Sequence, residues 1–399
     1  MVNGIDVARV RADTPSLADR VFLNHAGSSP NPTPVLDAVI GHLRAEARLG
    51  GYEADRTRAA DRTAVRASIA TLVGGEPDGV ALTTSATDAW ETAFWSIPWR
   101  RGDVVLTCRS EYVTNVVNLL VARDRFGVRT VVVDDDEHGQ IDLTDLERHL
   151  EDPAVRLVTL SHVPTHGGLV NLAVEVGRRC NDAGVAFLLD ACQSVGQLPV
   201  DVESLGCHLL TATGRKYLRA PRGTGFLYVR PEVNDLIGAE LTPLGSGGAT
   251  WDAADRYSFP TGASRFESFE RSGAATLGLG AAVDYALELG LDAIAERVGK
   301  LAGYLRHALG AIPGVTVRDR GVQRCGIVTF TVDGVEADRV RVRLAEDRIS
   351  VWVSDAAQAR LDLDDRGLST LVRASVHYVN TVEELDATAS AVAQVAASG

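Results

Sequence analysis

Between Ile69 and Val229 the sequence alternates short apolar runs, rich in β-branched residues, with stretches of helical periodicity. The apolar runs, such as VAFLLD and RLVTLSHV, lack the in–out alternation of a strand that has one wet face. Strands of this kind are covered by helices on both sides, which is typical of a largely parallel sheet. The pattern therefore predicts an α/β domain with a mostly parallel sheet between helices.

The pattern changes in the last third of the chain. A long helical stretch runs from about Gly273 to Leu309, and short strand patterns then alternate with two further helices. A change of this kind predicts a second, smaller α+β unit. The predicted division is an N-terminal segment over 1–20, a large α/β domain over 21–268, and a linker helix with a small α+β domain over 269–399.

Charge and composition restrict the partners. The 399 residues carry 40 Lys and Arg against 53 Asp and Glu, which gives a formal net charge of −13. Nucleic acids and anionic membranes are held largely by clustered cations, so neither is expected as a partner. A small metabolite is the expected partner. No apolar run long enough to span a membrane and no secretory leader is visible, which predicts a cytoplasmic protein. The five cysteines are odd in number and widely spread, so no disulfide framework and no metal site is expected.

Two residues carry the clearest chemical signal. Asp190 follows an apolar run, so its carboxylate is expected at the carboxyl edge of the sheet, where open α/β folds bind ligands. Lys216 follows another apolar strand, and it is one of only two lysines in the chain, the other being Lys300, while the remaining cations are arginines. A lysine can deprotonate and attack a carbonyl, which an arginine cannot. The sequence therefore indicates a nucleophilic amine at 216.

These residues stand in the segments LLDACQSVGQLPVDV and TATGRKYLRAPRGTGFLYV. The two segments resemble pyridoxal-phosphate enzymes of the aspartate-aminotransferase fold, in the class V aminotransferase branch that includes cysteine desulfurases and carbon–sulfur lyases. The likeness extends from FLNHAGSSP at 22–30 to VRASVHYVNTVEELD at 372–386. It implies a fold type I enzyme with pyridoxal 5′-phosphate as cofactor, an amino-acid substrate and a homodimer with the active site at its interface.

The resemblance also implies a role for each matching residue at the cofactor. Lys216 would form a Schiff base with the cofactor aldehyde, and Asp190 would keep the pyridine nitrogen protonated. The positive charge of Arg215 would favour the free amine of its neighbour. The remaining implied contacts are Ser85, Ala86 and Thr87 at the phosphate turn, Tyr112 stacked on the ring, Thr165 and Gln193 at the ring oxygen, and Thr213 with Arg215 at the phosphate.

On the substrate side, the resemblance implies that Arg373 grips the α-carboxylate, because a guanidinium recognises a planar carboxylate at two points. Asn24 and His25 occupy the stretch that folds over the substrate pocket in related enzymes. His166, next to Thr165, is a further candidate to face the substrate.

The chain departs from the desulfurase pattern in several places, including Arg215 where desulfurases usually carry His and Thr165 where relatives use Asn. The segment ISVWVSDAAQARL puts Ala357 where desulfurases carry their nucleophilic cysteine, and no cysteine follows Cys325. Tyr112 replaces the usual His, and FESFERSG, which contains Glu267, replaces a threonine-bearing turn that reaches the partner subunit.

The lack of a nucleophilic cysteine favours β-elimination at a cysteine S-conjugate or its S-oxide, a reaction for which Lys216 serves as base and acid. Transamination, racemisation of the isopenicillin N epimerase type and decarboxylation remain alternatives, as does a non-enzymatic binding role.

Overall fold

A computed structural model describes residues 4–398 of the chain. The strands within that range, β1 to β15 in chain order, are Val21–Phe22, Val80–Thr83, Val104–Cys108, Arg129–Val133, Val155–Ser161, Ala186–Asp190, Leu209–Thr213, Gly225–Val229, Thr250–Ala253, Arg256–Ser258, Val315–Val317, Ile327–Val332, Ile349–Ser350, Trp352–Asp355 and Thr370–Ser375. The α-helices in the same range, α1 to α14, are Val7–Ala12, Thr33–Leu49, Gly51–Thr57, Ala59–Val73, Ala86–Trp95, Val113–Phe126, Leu143–Leu150, Ala173–Ala183, Val202–Leu205, Val233–Ile237, Gly273–Leu289, Leu291–Gly310, Ala337–Glu346 and Val382–Ser398.

The larger sheet has the strand order β2-β8-β7-β6-β5-β3-β4. All its strands run parallel except β8, which is antiparallel to both of its neighbours. Every residue of β6 and β7 is buried, as expected for strands covered on both faces. The prediction of an α/β fold with a mostly parallel sheet between helices is thereby confirmed.

Two apolar clusters cover the two faces of this sheet. Along β6, Phe187 and Leu189 belong to one cluster and Leu188 to the other, because successive side chains of a strand point to opposite faces. Helix α11 contributes Leu279 and Val283 to the first cluster and packs against α2 and α4. The sheet is thus fixed from both sides, and its polar strand ends are left to form a site.

The smaller sheet is antiparallel, with the order β11-β12-β15-β14, and packs on α12, α13 and α14. Strand β1 pairs with β13 beside it, so the segment that follows Val21 lies against this unit. A bridge joins Asn24 to Ser375 at the end of β15. The early part of the chain is thereby brought next to Arg373, while the domain limits at 20 and 268 stay a prediction.

Within residues 4–398 no single helix is long and apolar enough to cross a membrane. The pair α11 and α12, bent by 79°, passes that test by combined length and composition.

Candidate active site

The carboxyl ends of three parallel strands meet at one edge of the large sheet. Ser161 ends β5, Asp190 ends β6 and Thr213 ends β7. A cavity of about 500 Å³, here called the inner cavity, opens at this edge. Its lining includes all ten residues predicted to hold the cofactor: Ser85, Ala86, Thr87, Tyr112, Thr165, Asp190, Gln193, Thr213, Arg215 and Lys216.

Asp190 and Lys216 are both buried at the inner cavity, 7% and 5% exposed. The Asp190 carboxylate accepts hydrogen bonds from the Cys192 N–H at 2.9 Å and from Asn115 Nδ2 at 3.1 Å. Burial raises the pKa of Asp190 and lowers that of Lys216, and the Arg215 charge lowers the pKa of Lys216 further. Lys216 therefore tends toward the free, nucleophilic amine, and Asp190 lacks a fixed cationic hydrogen-bond partner within the described residues.

Tyr112 caps the start of α6 and faces Lys216. The Lys216 Nζ lies 5.8 Å from the centre of its ring, and burial raises the pKa of the phenol. The phenol is therefore neutral near pH 7 and can donate a hydrogen bond, while the ring offers a flat wall to the inner cavity.

A turn before α5 is shaped to receive an anion. Ser85 Oγ accepts from the Asp88 N–H at 3.0 Å, and Thr84 donates to the Asp88 carboxylate through both N–H and Oγ1 at 2.9 Å. The turn lies directly on β8, since a Cβ at Gly225 would come within 2.6 Å of the carbonyl carbon of Ser85. The first N–H groups of a helix have no partners inside it, so this fixed turn can bind a phosphate.

The inner cavity fits pyridoxal phosphate on its own geometry. Gln193 Nε2 donates to Thr165 Oγ1 at 2.7 Å, but the buried Gln193 Oε1 has no hydrogen-bond partner in the part of the chain that is described. The inner cavity thus offers an unused acceptor, a carboxylate for a ring nitrogen, an amine for an aldehyde and a turn for an anion. These are the groups that a phosphorylated pyridine aldehyde requires.

A second cavity of about 820 Å³, the outer cavity, shares Tyr112, Thr165, Arg215 and Lys216 with the inner one. Its other lining residues are Asn24, Ala26, Gly27, Ser28, His166, Arg222, Trp352, Val353, Ser354, Gln358 and Arg373. The predicted substrate residues Asn24, His166 and Arg373 are therefore brought together next to Lys216.

Arg373 is buried and fixed by neighbours on the outer cavity wall. Its Nη1 donates to Thr165 Oγ1 at 2.9 Å and to the Thr165 carbonyl at 3.1 Å, and its Nη2 donates to Asn24 Oδ1 at 3.3 Å. Burial lowers its pKa to about 10, which leaves it charged at neutral pH. A buried cation without a bound carboxylate is suited to take one from a ligand.

His25 departs from its expected place. It is fully buried, its Nδ1 lies 2.9 Å from Ser29 Oγ, and its ring stacks edge-on with Phe22 and His377. It lines neither cavity, so the structure does not support contact between His25 and the substrate. The chain turns here, with the Gly27 N–H donating to the Asn24 carbonyl at 3.0 Å, and within this turn Asn24 takes the side that faces Arg373.

Sequence reasoning missed a supporting network behind Asp190. Asn115 Nδ2 lies 3.0 Å from Glu111 Oε1 as well as 3.1 Å from Asp190, and the buried Glu111 also accepts from Thr107 Oγ1 and Ser161 Oγ. Glu111 lies just before α6, which begins at Val113, so no helical spacing signalled that it would meet Asn115.

The turn that replaces the threonine-bearing segment, FESFERSG, is held by contacts of Glu267 within the same chain. Glu267 Oε1 accepts from the Leu82 N–H at 2.8 Å, and Glu267 Oε2 lies 2.6 Å from both Arg66 and Arg271. Glu267 is buried among these partners. It therefore anchors the strand that precedes the phosphate turn.

Comparison with known proteins agrees with this geometry. The family model described as "Aminotransferase class-V" matches residues 21–388, and the chain belongs to that family of pyridoxal-phosphate enzymes. Its cofactor is accordingly pyridoxal 5′-phosphate, as the inner cavity indicates.

Particular relatives divide between two names. A probable cysteine desulfurase of Methanothermobacter thermautotrophicus is 30% identical over 98% of both chains. A probable hercynylcysteine sulfoxide lyase of Mycobacterium tuberculosis is also 30% identical, over 98% of this chain and 93% of its own. Among solved structures, an apo cysteine desulfurase from Thermococcus onnurineus superposes with a TM-score of 0.90 at 24% identity, covering 98% of each chain.

Proposed function

We propose that this enzyme is a carbon–sulfur lyase that cleaves the Cβ–S bond of a cysteine S-conjugate or its S-oxide. The substrate loses its Cα proton, and the electron pair of the Cβ–S bond leaves with sulfur. A thioether conjugate thus yields a thiol and an S-oxide yields a sulfenic acid. The remaining three-carbon fragment takes up water and becomes pyruvate and ammonium, so no external oxidant or reductant is needed.

The observation that carries this proposal is the loop that faces Lys216 across the outer cavity. Ala357 lies in a short 3₁₀ turn, Ala356–Gln358, where its N–H donates to Asp355 Oδ1 at 2.7 Å. Strand β14 presents Trp352 and Ser354 to the cavity and the turn after it presents Gln358, and no cysteine is present among the described residues that line it. A desulfurase needs a thiol there to attack the substrate sulfur, whereas elimination needs none.

Cys192 is the one cysteine that lines the inner cavity within the described residues, and it is absent from the outer cavity lining. It lies in the turn after Asp190, where its N–H donates to the Asp190 carboxylate. Its thiol contacts the Lys216 amine, whereas the substrate sulfur is expected on the side of Arg373. Burial also raises the pKa of the Cys192 thiol, which disfavours the nucleophilic thiolate.

Bound pyridoxal phosphate supplies the electron sink that weakens the bonds to the substrate Cα. The chain's own residues do the rest. Arg373, fixed by Thr165 and Asn24, binds the α-carboxylate and orients Cα toward Lys216. Lys216 Nζ, which burial favours as the free amine, accepts the Cα proton and can return it to the departing sulfur.

The relative from Mycobacterium tuberculosis that is named a probable sulfoxide lyase supports this reaction class, because it is 30% identical to this chain, the same identity as the relative from Methanothermobacter thermautotrophicus that is named a probable cysteine desulfurase. Its name also supports an S-oxide as a substrate form to test.

The test incubates the cofactor-loaded enzyme with L-cysteine, common L-amino acids, and cysteine S-conjugates with their S-oxides. We expect pyruvate and ammonium in equal amounts, with one thiol or sulfenic acid released per turnover. Mass spectrometry identifies these products. Lys216→Ala should be inactive, and Cys192→Ser should keep the activity.

Three outcomes would overturn the proposal. Alanine from free cysteine with a protein persulfide would identify a desulfurase. A keto acid without free ammonium would identify a transaminase. An intact substrate that gains solvent deuterium at Cα would identify a racemase.

A further inference from the structure

The outer cavity is strongly cationic although the chain as a whole is acidic. Its lining contains four basic side chains, three of them arginines, and, among the described residues, no Asp or Glu. The four are Arg215, Lys216, Arg222 and Arg373. The whole chain has a formal net charge of −13, yet no acidic side chain lines this cavity within the described residues. A cavity lined by one sign of charge attracts ligands of the opposite sign.

Under the proposed function, three of these basic groups already have an anion or an aldehyde to bind. Lys216 joins the cofactor aldehyde, Arg373 holds the substrate α-carboxylate, and Arg215 also lines the inner cavity beside the phosphate turn. Arg222 is left without a partner. It makes no hydrogen bond and no ion pair with any residue in the range 4–398. It lines the outer cavity but not the inner one.

The loop that carries Arg222 is held in place. Thr224 Oγ1 donates to the Pro221 carbonyl at 2.6 Å, and the Thr224 carbonyl accepts from the Gly214 N–H at 3.0 Å. Asp355, on the loop across the cavity, does not line it and accepts from the Ala357 N–H instead. The Arg222 guanidinium is therefore carried by a fixed segment and is not neutralised by a neighbouring acid.

A second, buried group faces the same cavity without a side-chain partner. His166 is 5% exposed, and neither of its ring nitrogens has a side-chain hydrogen bond within the described part of the chain. Burial, with a contribution from the Arg373 charge, lowers its pKa to about 4, so the ring is neutral and can donate one hydrogen bond. The Gln358 backbone lies against one of the ring nitrogens, and a ligand in the outer cavity would satisfy the other.

Trp352 adds a flat apolar surface to this wall. It stands opposite Arg373 in the pairing of β14 with β15, and it is 52% exposed. A half-exposed indole beside the carboxylate-binding arginine can pack against the methylene groups of a substrate side chain.

We infer that the outer cavity is a subsite for a sulfur substituent that ends in a carboxylate. Arg222 pairs with the distal carboxylate, His166 donates a hydrogen bond to it, and Trp352 packs on the linking carbons. The preferred substrates are then cysteine S-conjugates, or their S-oxides, that carry an acid at the far end. This assignment rests on the proposed function for the identity of the reacting end.

The test compares two nearly isosteric substrates, the S-oxides of S-(2-carboxyethyl)-L-cysteine and S-(2-carbamoylethyl)-L-cysteine, which differ by one charge. The loaded wild-type enzyme should show a kcat/KM about tenfold higher for the acid, as expected for a charge-assisted hydrogen bond. Arg222→Gln should bring the ratio close to one, through KM more than kcat. Arg222→Lys should keep part of the preference, because it keeps the charge but loses the planar fork.

A matched control is Arg339→Gln, which removes an exposed arginine on α13, away from both cavities. It should leave the acid-to-amide ratio unchanged. Equal kcat/KM for the two substrates in the wild type, or an unchanged ratio in Arg222→Gln, would overturn the inference.

Binding to Lys216→Ala, measured by calorimetry, separates the two proposals because this protein cannot turn over substrate. Pyruvate from both substrates with equal dissociation constants would reject the subsite and keep the lyase. A tighter-bound acid with no pyruvate from any conjugate in the wild type would reject the lyase and keep an anion-binding cavity.

Discussion

The inner and outer cavities meet at Lys216 but are built from different material. The inner cavity is formed by strand ends and one helix start, and its carboxylate is fixed by a network that reaches Asn115 and Glu111. The outer cavity is formed by the turn at 24–28, the loop at 165–166 and strands β14 and β15 of the smaller sheet with the turn after β14, and its polar groups are partly unpaired. The difference indicates that the chemistry is set by the larger sheet, whereas the choice of substrate is set by the smaller unit and by loops, which vary more readily.

The largest effect is expected from replacing Lys216, which lines both cavities. Lys216→Ala should reduce pyruvate formation by about a thousandfold or more, because it removes both the covalent anchor and the proton carrier. Borohydride reduction followed by peptide mass spectrometry should find the cofactor on residue 216 in the wild type. A label on another residue would contradict the assignment of both cavities.

The second test concerns the packing beneath the phosphate turn. Gly225→Ala places a Cβ 2.6 Å from the Ser85 carbonyl carbon and 2.8 Å from the Ala212 carbonyl oxygen. Backbone atoms cannot move aside cheaply, so we expect a loss of about 1–3 kcal/mol in the free energy of unfolding and weaker cofactor binding.

The control is Gly299→Ala in α12, where a Cβ meets nothing within 4 Å. It should stabilise the protein by about 0.5–1 kcal/mol, since alanine favours a helix interior. Denaturant unfolding of the two variants measures the contrast, and equal stabilities would show that the turn does not pack as described.

A smaller effect is expected where the two cavities share a hydrogen bond. Thr165→Val keeps the shape but removes the hydroxyl that accepts from Arg373 and Gln193. A lost hydrogen bond to a charged group should raise KM about fivefold to tenfold with kcat nearly unchanged. Steady-state kinetics against the exposed control Thr63→Val tests this, and a change confined to kcat would argue against a role in substrate binding.

The smallest expected effect is a shift in pH dependence. The apo protein should react with pyridoxal, which lacks the phosphate, with a midpoint below that of an ordinary lysine, because burial and Arg215 lower the pKa of Lys216. The rate rises with pH because only the deprotonated amine attacks. Arg215→Gln should move the midpoint of the reaction to higher pH, which absorbance of the pyridoxal adduct measures. A move to lower pH would contradict the electrostatic argument.

The sequence pattern predicts the place of Asp190 for a physical reason, whereas most other contacts of the inner cavity follow from the family resemblance. A residue at the end of a buried parallel strand, such as Asp190, has its position fixed by the register of the sheet, so an apolar run followed by a polar residue is enough to place it. Asn115 escaped notice because its role depends on which face of α6 turns toward Asp190, and that is decided by packing.

Loop residues carry no such periodic signal. The sequence predicts that Asn24 and His25 act together, yet only Asn24 reaches the cavity, since the chain turns between Asn24 and Gly27 and buries His25. Arg222 was not singled out, because a Gly- and Pro-rich segment does not reveal which way an arginine will face.

The bond between Arg373 and Asn24 spans 349 residues of sequence. During synthesis, every residue of the inner cavity has been joined to the chain once position 216 is reached. The pair that would hold a substrate, Asn24 with Arg373, is complete only after one of the last strands is made. A nascent or C-terminally truncated chain would therefore carry the residues for capturing its vitamin-derived cofactor long before it could position anything to act upon.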